Sequence, residues 1–401
     1  MSKELEVYNA YFGDCIILKD TSDNTNLLVD FGIHPCSVTP KNYSMRYKSR
    51  TRSIANDLVK RYPQKSLSLL ITHFHEDHIN GLIYMLNNQI QNPNYIGLFE
   101  NVYIANIWHN PFAVASNLLE IMILAAELKN SGLPSTSASL LDLLDFLQDY
   151  SRKITLLSKG VKFENNKYIA LWPILEEDKD SRAKLKEEFG FPDDLTEDLL
   201  ELAEMICVFV VRIVNDNEIY EVKYIKDNRN HFELEEIKAK YNTISENLTN
   251  HFNNNETKDL CKNNLNNYKH KYNIVFQNTE NCAENVLFTG DSEQTHMNKI
   301  ANATDIPLHQ QYKFIKIPHH GTDNHYFDFS SYSPKNVIIT NGKINKPTSY
   351  MISKKYSTLN SFFICANSNF CCNCTPCCSK SGALCQKQHK IIYRRLFRSF
   401  K

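Results

Sequence analysis

The chain has 401 residues, enough for one large α/β domain with insertions or for two smaller ones. Hydrophobic residues make up 42%, which supplies a sizeable core and argues against global disorder. With 45 Lys+Arg against 45 Asp+Glu, the formal net charge is zero, so the chain as a whole offers no attraction to nucleic acid or to an anionic membrane, although a local basic groove stays compatible with it.

In chain order, residues 5–31 read as a β-hairpin. Leu5 to Tyr11 leads to Gly13-Asp14, Cys15 to Lys19 follows, and the turn-rich Asp20 to Asn26 precedes the apolar run Leu27 to Phe31. The first residues lack a signal-peptide hydrophobic region, so a soluble, cytoplasmic protein is expected. Residues 52–61 fit a short amphipathic helix with Ile54, Leu58 and Val59 on one face. Leu67 to Thr72 is a buried strand ending at His73, and 79–88 read as the next helix. Val102 to Trp108 is another strand, terminated by His109-Asn110-Pro111. Helical stretches follow at 113–130 and 137–151. The most apolar segment, Leu118 to Leu128, contains Glu120 and Glu127 and falls short of the roughly 18 uninterrupted apolar residues of a membrane span.

Tyr168 to Trp172 is a strand closed by Pro173, a charged helical region covers 177–204, and the β-branched run Ile206 to Ile213 reads as strand. Residues 215–284 break the pattern. Within 242–285, 14 of 44 residues are Asn, a composition poor in core formers that predicts an exposed insertion of helix and loop. Strand-like segments resume at Val286 to Asp291, Phe314 to Pro318 and Val337 to Thr340.

Four metal-ligand side chains occur within six residues in His73-Phe74-His75-Glu76-Asp77-His78. His73 and His75, two apart at a strand end, can turn to one side, and Asp77 and His78 open the next helix. Imidazole with carboxylate suits Zn²⁺, Mn²⁺ or Fe²⁺ rather than Ca²⁺. The alternative is a solvated His-rich loop.

H-x-H-x-D-H at a strand end resembles the signature of the metallo-β-lactamase superfamily. Phe288-Thr289-Gly290-Asp291 resembles its strand-Gly-Asp element, and Lys316-Ile317-Pro318-His319-His320-Gly321-Thr322 its late strand-to-His element. Gly13-Asp14 and the strand end at 28–32 resemble its opening hairpin. Thr-Gly-Asp followed by His-His-Gly-Thr, with Asn336 to Gly342 after it, is most similar to the branch of DNA-uptake competence proteins and phosphorylcholine esterases. The resemblance implies a four-layer αββα sandwich over 1–350, interrupted by the 215–284 insertion and followed by a tail over 351–401. It also implies two divalent metal ions, zinc first with manganese or iron as alternatives. His73 and His75 would hold one, Asp77 and His78 the other, with Asp291 between them and a bridging hydroxide as nucleophile. His320 is the preferred late ligand, leaving His319 (with Asp77, the catalytic pair) to face substrate as proton donor or oxyanion partner; the reverse order of the two late histidines is the alternative.

The family's third histidine on the first metal is missing after 168–172. His109, which ends a strand, is the substitute, the other reading being a local hydrogen bond. His34 and His325 are candidates for lining the substrate cleft, against the ordinary reading of loop histidines. Asp14 and Asp30 are expected to stabilise turns and orient ligands rather than bind metal.

Of the twelve cysteines, 15, 36, 207, 261 and 282 are scattered, as suits reduced thiols, and seven crowd between Cys365 and Cys385. The C-x₂-C spacings 371–374 and 374–377, with His389, can hold structural zinc; a redox-sensitive or disordered tail is the alternative. The basic, aromatic stretch 387–401 reads as a solvated helix or a docking segment for nucleic acid or a protein.

The function expected is a metal-dependent hydrolase of phosphodiesters, either nucleic acid, which the zero net charge weakens, or a small phosphodiester such as a cyclic nucleotide. The alternatives are hydrolysis of a lactone, thioester or β-lactam on the same centre, or a non-catalytic, metal-stabilised module whose insertion and tail recruit a protein partner.

Overall fold

The computed structural model describes residues 3–10, 13–33, 40–130, 139–149, 153–175, 180–219, 228–252, 259, 261, 263–265, 268, 270–341, 352–365, 384–385 and 390–393. His34, His389 and nearly all of the Cys-rich and basic tail lie outside them. The chain forms two compact units, one built from Met1–Ile104, Leu157–Pro173 and Asn273–Lys401, the other from Ala105–Leu156 and Ile174–Tyr272.

The first unit is mixed α/β with two mixed sheets. One sheet uses β1 (Lys3–Tyr8), β2 (Ile16–Asp20), β3 (Thr25–Val29), β4 (Leu67–Leu70) and β5 (Phe99–Ala105), with β15 (Lys390–Tyr393) at its edge, in the order β15-β1-β2-β3-β4-β5; β6 (Lys153–Leu157) falls, all but its last residue, in the other unit. β1 to β3 form an antiparallel meander, and β3, β4 and β5 run parallel. The other sheet uses β7 (Lys162–Phe163), β8 (Tyr168–Trp172), β9 (Val275–Asn278), β10 (Val286–Phe288), β11 (Tyr312–Lys316), β12 (Pro334–Ile339), β13 (Phe362–Cys365) and β14 (Leu384–Cys385), in order β14 to β7. β10 to β14 are parallel and β7 to β10 antiparallel.

Strands β4, β8, β9, β10 and β11 are buried along their whole length, polar members such as Gln277, Asn278, Lys313 and Lys316 included, as strands of sheets covered on both faces are. The sheets meet through side chains. Lys3 Nζ on β1 donates to the Tyr168 hydroxyl on β8 at 2.9 Å, and the Tyr103 ring on β5 lies 5.0 Å from Phe163 on β7. The outer face of the second sheet buries Trp172, Leu287, Ile315 and Val337 against Met297 and Ile300 of the helix Gln294–Ala301. Each such side chain contributes about 1.5–3 kcal/mol by leaving water. The first sheet's helices are α1 (Pro40–Arg61), α2 (Glu76–Asn87) and α3 (Asn94–Gly97); α1 is longer than the 52–61 expected.

The second unit is helical: α4 (Pro111–Asn130), α5 (Ser139–Asp149), α6 (Ser181–Phe189), α7 (Asp193–Ile219) and α8 (Asn228–His251). The helix Gln294–Ala301 is therefore α9. Here the strand expected at 206–213 is corrected: it lies inside α7. Ile206, Phe209, Val210 and Ile213 are buried, whereas Val208 is 61% exposed, a spacing of three to four rather than two. β-branching drew the strand reading, and packing overrode it. The region read as poor in core formers also carries a packed helix. Leu234, Ile237, Tyr241, Ile244 and Leu248 are buried at alternating spacings of three and four along α8, which packs on α7. Among the described residues, no helix is long and apolar enough to cross a membrane.

Candidate metal centre

β4 delivers the chain to Ile71-Thr72-His73, and α2 begins three residues later at Glu76. The loop between is fastened by backbone bonds. The Asp14 amide donates to the Asp77 carbonyl at 3.0 Å, the Phe31 amide to the His78 carbonyl at 2.9 Å, and the Gly32 amide to the Asp14 carbonyl at 2.9 Å. Gly13 and Gly32 sit where a side chain would strike backbone: a Cβ on Gly32 would overlap the Asp77–His78 peptide itself. The opening hairpin thus serves as the floor of the His-rich loop.

Asp30, just past β3, is fully buried with φ 57°, an uncommon conformation for a residue with a side chain. Its carboxylate accepts from the Thr72 amide and hydroxyl, both at 2.7 Å, and from His78 Nδ1 at 2.8 Å. That last bond places a proton on Nδ1 and leaves Nε2 facing inward, the arrangement of a carboxylate-oriented metal-binding imidazole. His78 Nε2 is buried and makes no hydrogen bond.

The late motifs arrive side by side because Phe288 on β10 pairs with Lys316 on β11. Past β10, Gly290 turns with φ 50° against the Asn273 side chain, whose Oδ1 accepts from the Asp291 amide at 2.9 Å. Past β11, His319 (φ 44°), His320 (φ 55°) and Gly321 (φ 84°) are all left-handed, and the His319 amide donates to the Gly290 carbonyl at 3.1 Å. Left-handed non-glycine residues cost about 1–3 kcal/mol each and persist where surroundings over-determine them, most often at functional sites.

Asp77, His78, Asp291 and His320 each bring one ligand atom into a group whose members all lie within 4.8 Å of one another. His320 Nε2 is 3.2 Å from Asp77 Oδ2 and 3.4 Å from Asp291 Oδ2; His78 Nε2 is 3.4 Å from Asp291 Oδ2 and 3.9 Å from Asp77 Oδ2. Charge-assisted hydrogen bonds would draw such atoms to about 2.7–2.9 Å. Ligands bonded at about 2.0–2.2 Å around a tetrahedral ion stand about 3.3–3.6 Å apart, so these four side chains fit a shared cation better than they fit each other. They can hold a metal ion. His73 Nε2 and His75 Nδ1 approach to 3.1 Å as a second pair, with the His73 ring 4.0 Å from that of His78. The chain matches no protein-family model and no curated protein.

Charge supports the same reading. Asp14, Asp30 and Asp291 are buried beside Asp77, and Lys316 is the buried ammonium among them. For His78, burial opposes the proton, but Asp291, Asp30 and Asp77 outweigh it and hold the ring well above the ordinary range. Burial likewise opposes charge on His320, yet Asp291 and Asp14 raise it to about 10. Burial favours neutral Asp77 and Asp291, but the facing imidazoles keep both carboxyls well below the usual range. His73 goes the other way, lowered first by burial and then by His78 and His75. The pocket accumulates negative charge and draws positive charge to it.

The remaining histidines fall as follows. His319 is half-buried; its Nδ1 is 2.8 Å from the Thr322 hydroxyl, its Nε2 3.7 Å from Asp291 Oδ2, and burial pushes it down to about 3. His325 stacks on it, ring centroids 3.8 Å apart, with Nδ1 3.0 Å from the same hydroxyl. His109 is exposed in the turn between β5 and α4, within the helical unit, and belongs to none of the ligand groups found among the described residues. Lys316 went unremarked as a site residue in the sequence; only its place in the late motif could have flagged it. Asp14 and Asp30 contact the ligand side chains directly.

Proposed function

We propose that this chain is a metal-dependent hydrolase similar to the metallo-β-lactamase superfamily, acting on a phosphodiester. Convergence of Asp77, His78, Asp291 and His320 from three separated loops carries the reading. These four would hold one divalent cation, and His73 with His75 would contribute to a second; zinc suits the imidazole-carboxylate set, with manganese or iron as alternatives. The family's αββα architecture is part of the same proposal, supported by two mixed sheets that meet through side chains. When bound, the cations supply Lewis acidity and bring the pKa of a coordinated water toward neutrality.

The chain's own residues supply orientation and a proton. Asp30 fixes the His78 tautomer, and Asp14 with Thr340 braces His320 from behind at 3.3 and 3.1 Å. The Thr322 hydroxyl has one proton and faces two imidazoles. Where His319 Nδ1 accepts that proton, Nε2 carries the ring's own proton on the side of Asp291, ready for a substrate oxygen. A small phosphodiester is favoured over nucleic acid because the chain carries no net charge.

The test is turnover of bis-p-nitrophenyl phosphate by metal-loaded protein, lost in Asp291→Ala and not restored there by magnesium. Opening of a lactone or chromogenic β-lactam without diester cleavage would move the substrate class. Metal binding with no hydrolysis of any ester would point instead to a metal-stabilised binding module.

A further inference from the structure

Lys316 is a lysine with almost no access to solvent, 1% exposed at the end of β11. An ammonium has three protons, and here each finds an acceptor. Nζ is 2.7 Å from Asp14 Oδ2, 3.0 Å from the Gly290 carbonyl and 3.4 Å from Asp291 Oδ1. The two carboxylates it grips each turn their other oxygen toward the cluster. Asp291 Oδ2 faces His78 and His320, each at 3.4 Å, while Asp14 Oδ1 lies 3.3 Å from His320 Nδ1. The Gly290 carbonyl also ties Lys316 to His319 indirectly, since it accepts the His319 amide as well.

We infer that Lys316 is the positioning residue of the metal centre. It occupies Asp291 Oδ1 so that Asp291 ligates through Oδ2 alone, and it acts through Asp14 to fix the ring of His320. The inference rests on the metal-binding reading above and adds to it a residue that touches no metal.

Geometry and simple electrostatics oppose each other here, which makes the role testable. If Lys316 were only a positive charge near a cation site, removing it would tighten metal binding. As a positioning residue, its removal frees Asp291 to rotate and leaves His320 unbraced, and binding weakens. Outer-sphere partners of metal ligands typically control affinity by about 10–100-fold.

Lys316→Met alone strands two buried carboxylates and is open to misfolding. The informative comparison is therefore Lys316→Met with Asp14→Asn against Asp14→Asn alone, because the pair of variants shares the loss of the Asp14 carboxylate and differs only at Lys316. The wild type and both variants are titrated with Zn²⁺ against a chromophoric chelator and with Co²⁺ followed by its visible absorption, with circular dichroism as the folding control. A folded double variant that binds at least roughly tenfold more weakly than Asp14→Asn, with an altered cobalt spectrum, is the expected result. Binding equal to or tighter than that of Asp14→Asn with an unchanged spectrum overturns the inference while leaving the metal reading intact. A wild type that binds neither ion overturns both. Should the double variant unfold, Lys316→Arg decides by the same titration. Its charge is kept but its planar fork cannot match three acceptors grouped around one nitrogen, so unchanged affinity and spectrum refute positioning.

Discussion

Gly13→Ala isolates how tightly the opening hairpin is fitted beneath the ligand loop. An alanine Cβ there would lie 2.7 Å from the Gly32 carbonyl oxygen and 2.8 Å from that of Asp77. Ordinary contact begins at 3.4 Å, so the two carbonyls must retreat by 0.7 and 0.6 Å. Both are backbone atoms, and the Asp77 carbonyl is already held by the Asp14 amide, so neither moves alone. Metal–ligand distances tolerate only about 0.2 Å, which makes loss of metal the first expected effect. Overpacking costs about 1–3 kcal/mol. The opposing gain from a stiffer unfolded chain is about 0.4–1 kcal/mol, so destabilisation wins. At mid-range the net loss is about 1.3 kcal/mol, which for a unit of this size corresponds to a fall in Tm of roughly 3–5 °C. Elemental analysis and a thermal melt of metal-free protein separate the two effects. A variant with wild-type metal content and a Tm within about 1 °C would refute the claimed fit.

Asp30→Ala is expected to weaken metal binding by about 10–100-fold by releasing the His78 tautomer, measured by chelator competition. His109→Ala is expected to leave metal content unchanged, because the side chain is exposed; loss of one metal per chain would show the opposite. Asp142 in α5 is raised to about 6, first by burial and then by Asp145, with Lys238 opposing. The folded state therefore holds this proton more tightly than the unfolded state, and stability falls as pH rises from about 4 to about 6. The loss is at most about 3 kcal/mol, and Asp142→Asn is expected to remove that pH dependence from denaturant midpoints and to stabilise the protein at pH 7.

Much of the site could be read from the chain because its ligands sit at strand ends, where short motifs mark them. His73, His75, Asp77 and His78 lie within six residues, and Asp291 and His320 each follow an apolar run. What the sequence hid depends on pairing between strands. Lys316 becomes a site residue only because β11 lies beside β10, and Asp30 only because its left-handed backbone aims the carboxylate at Thr72 and His78. The strand reading of Ile206 to Ile213 failed because local preference is weaker than the burial period imposed along α7. Asparagine content misled in a similar way. Asn273, Asn278 and Asn285 are buried and tie β9, β10 and β11 together, the Asn278 side chain accepting the Val286 amide and Asn285 bonding the Gln311 carbonyl.

The central claim, that these side chains share a cation, is tested most directly by anomalous diffraction at the zinc and manganese edges from crystals grown with each ion. The expected result is a peak within bonding distance of Asp77 Oδ2, His78 Nε2, Asp291 Oδ2 and His320 Nε2, absent from crystals of Asp291→Ala. A map with no peak among those atoms at either edge would contradict the account.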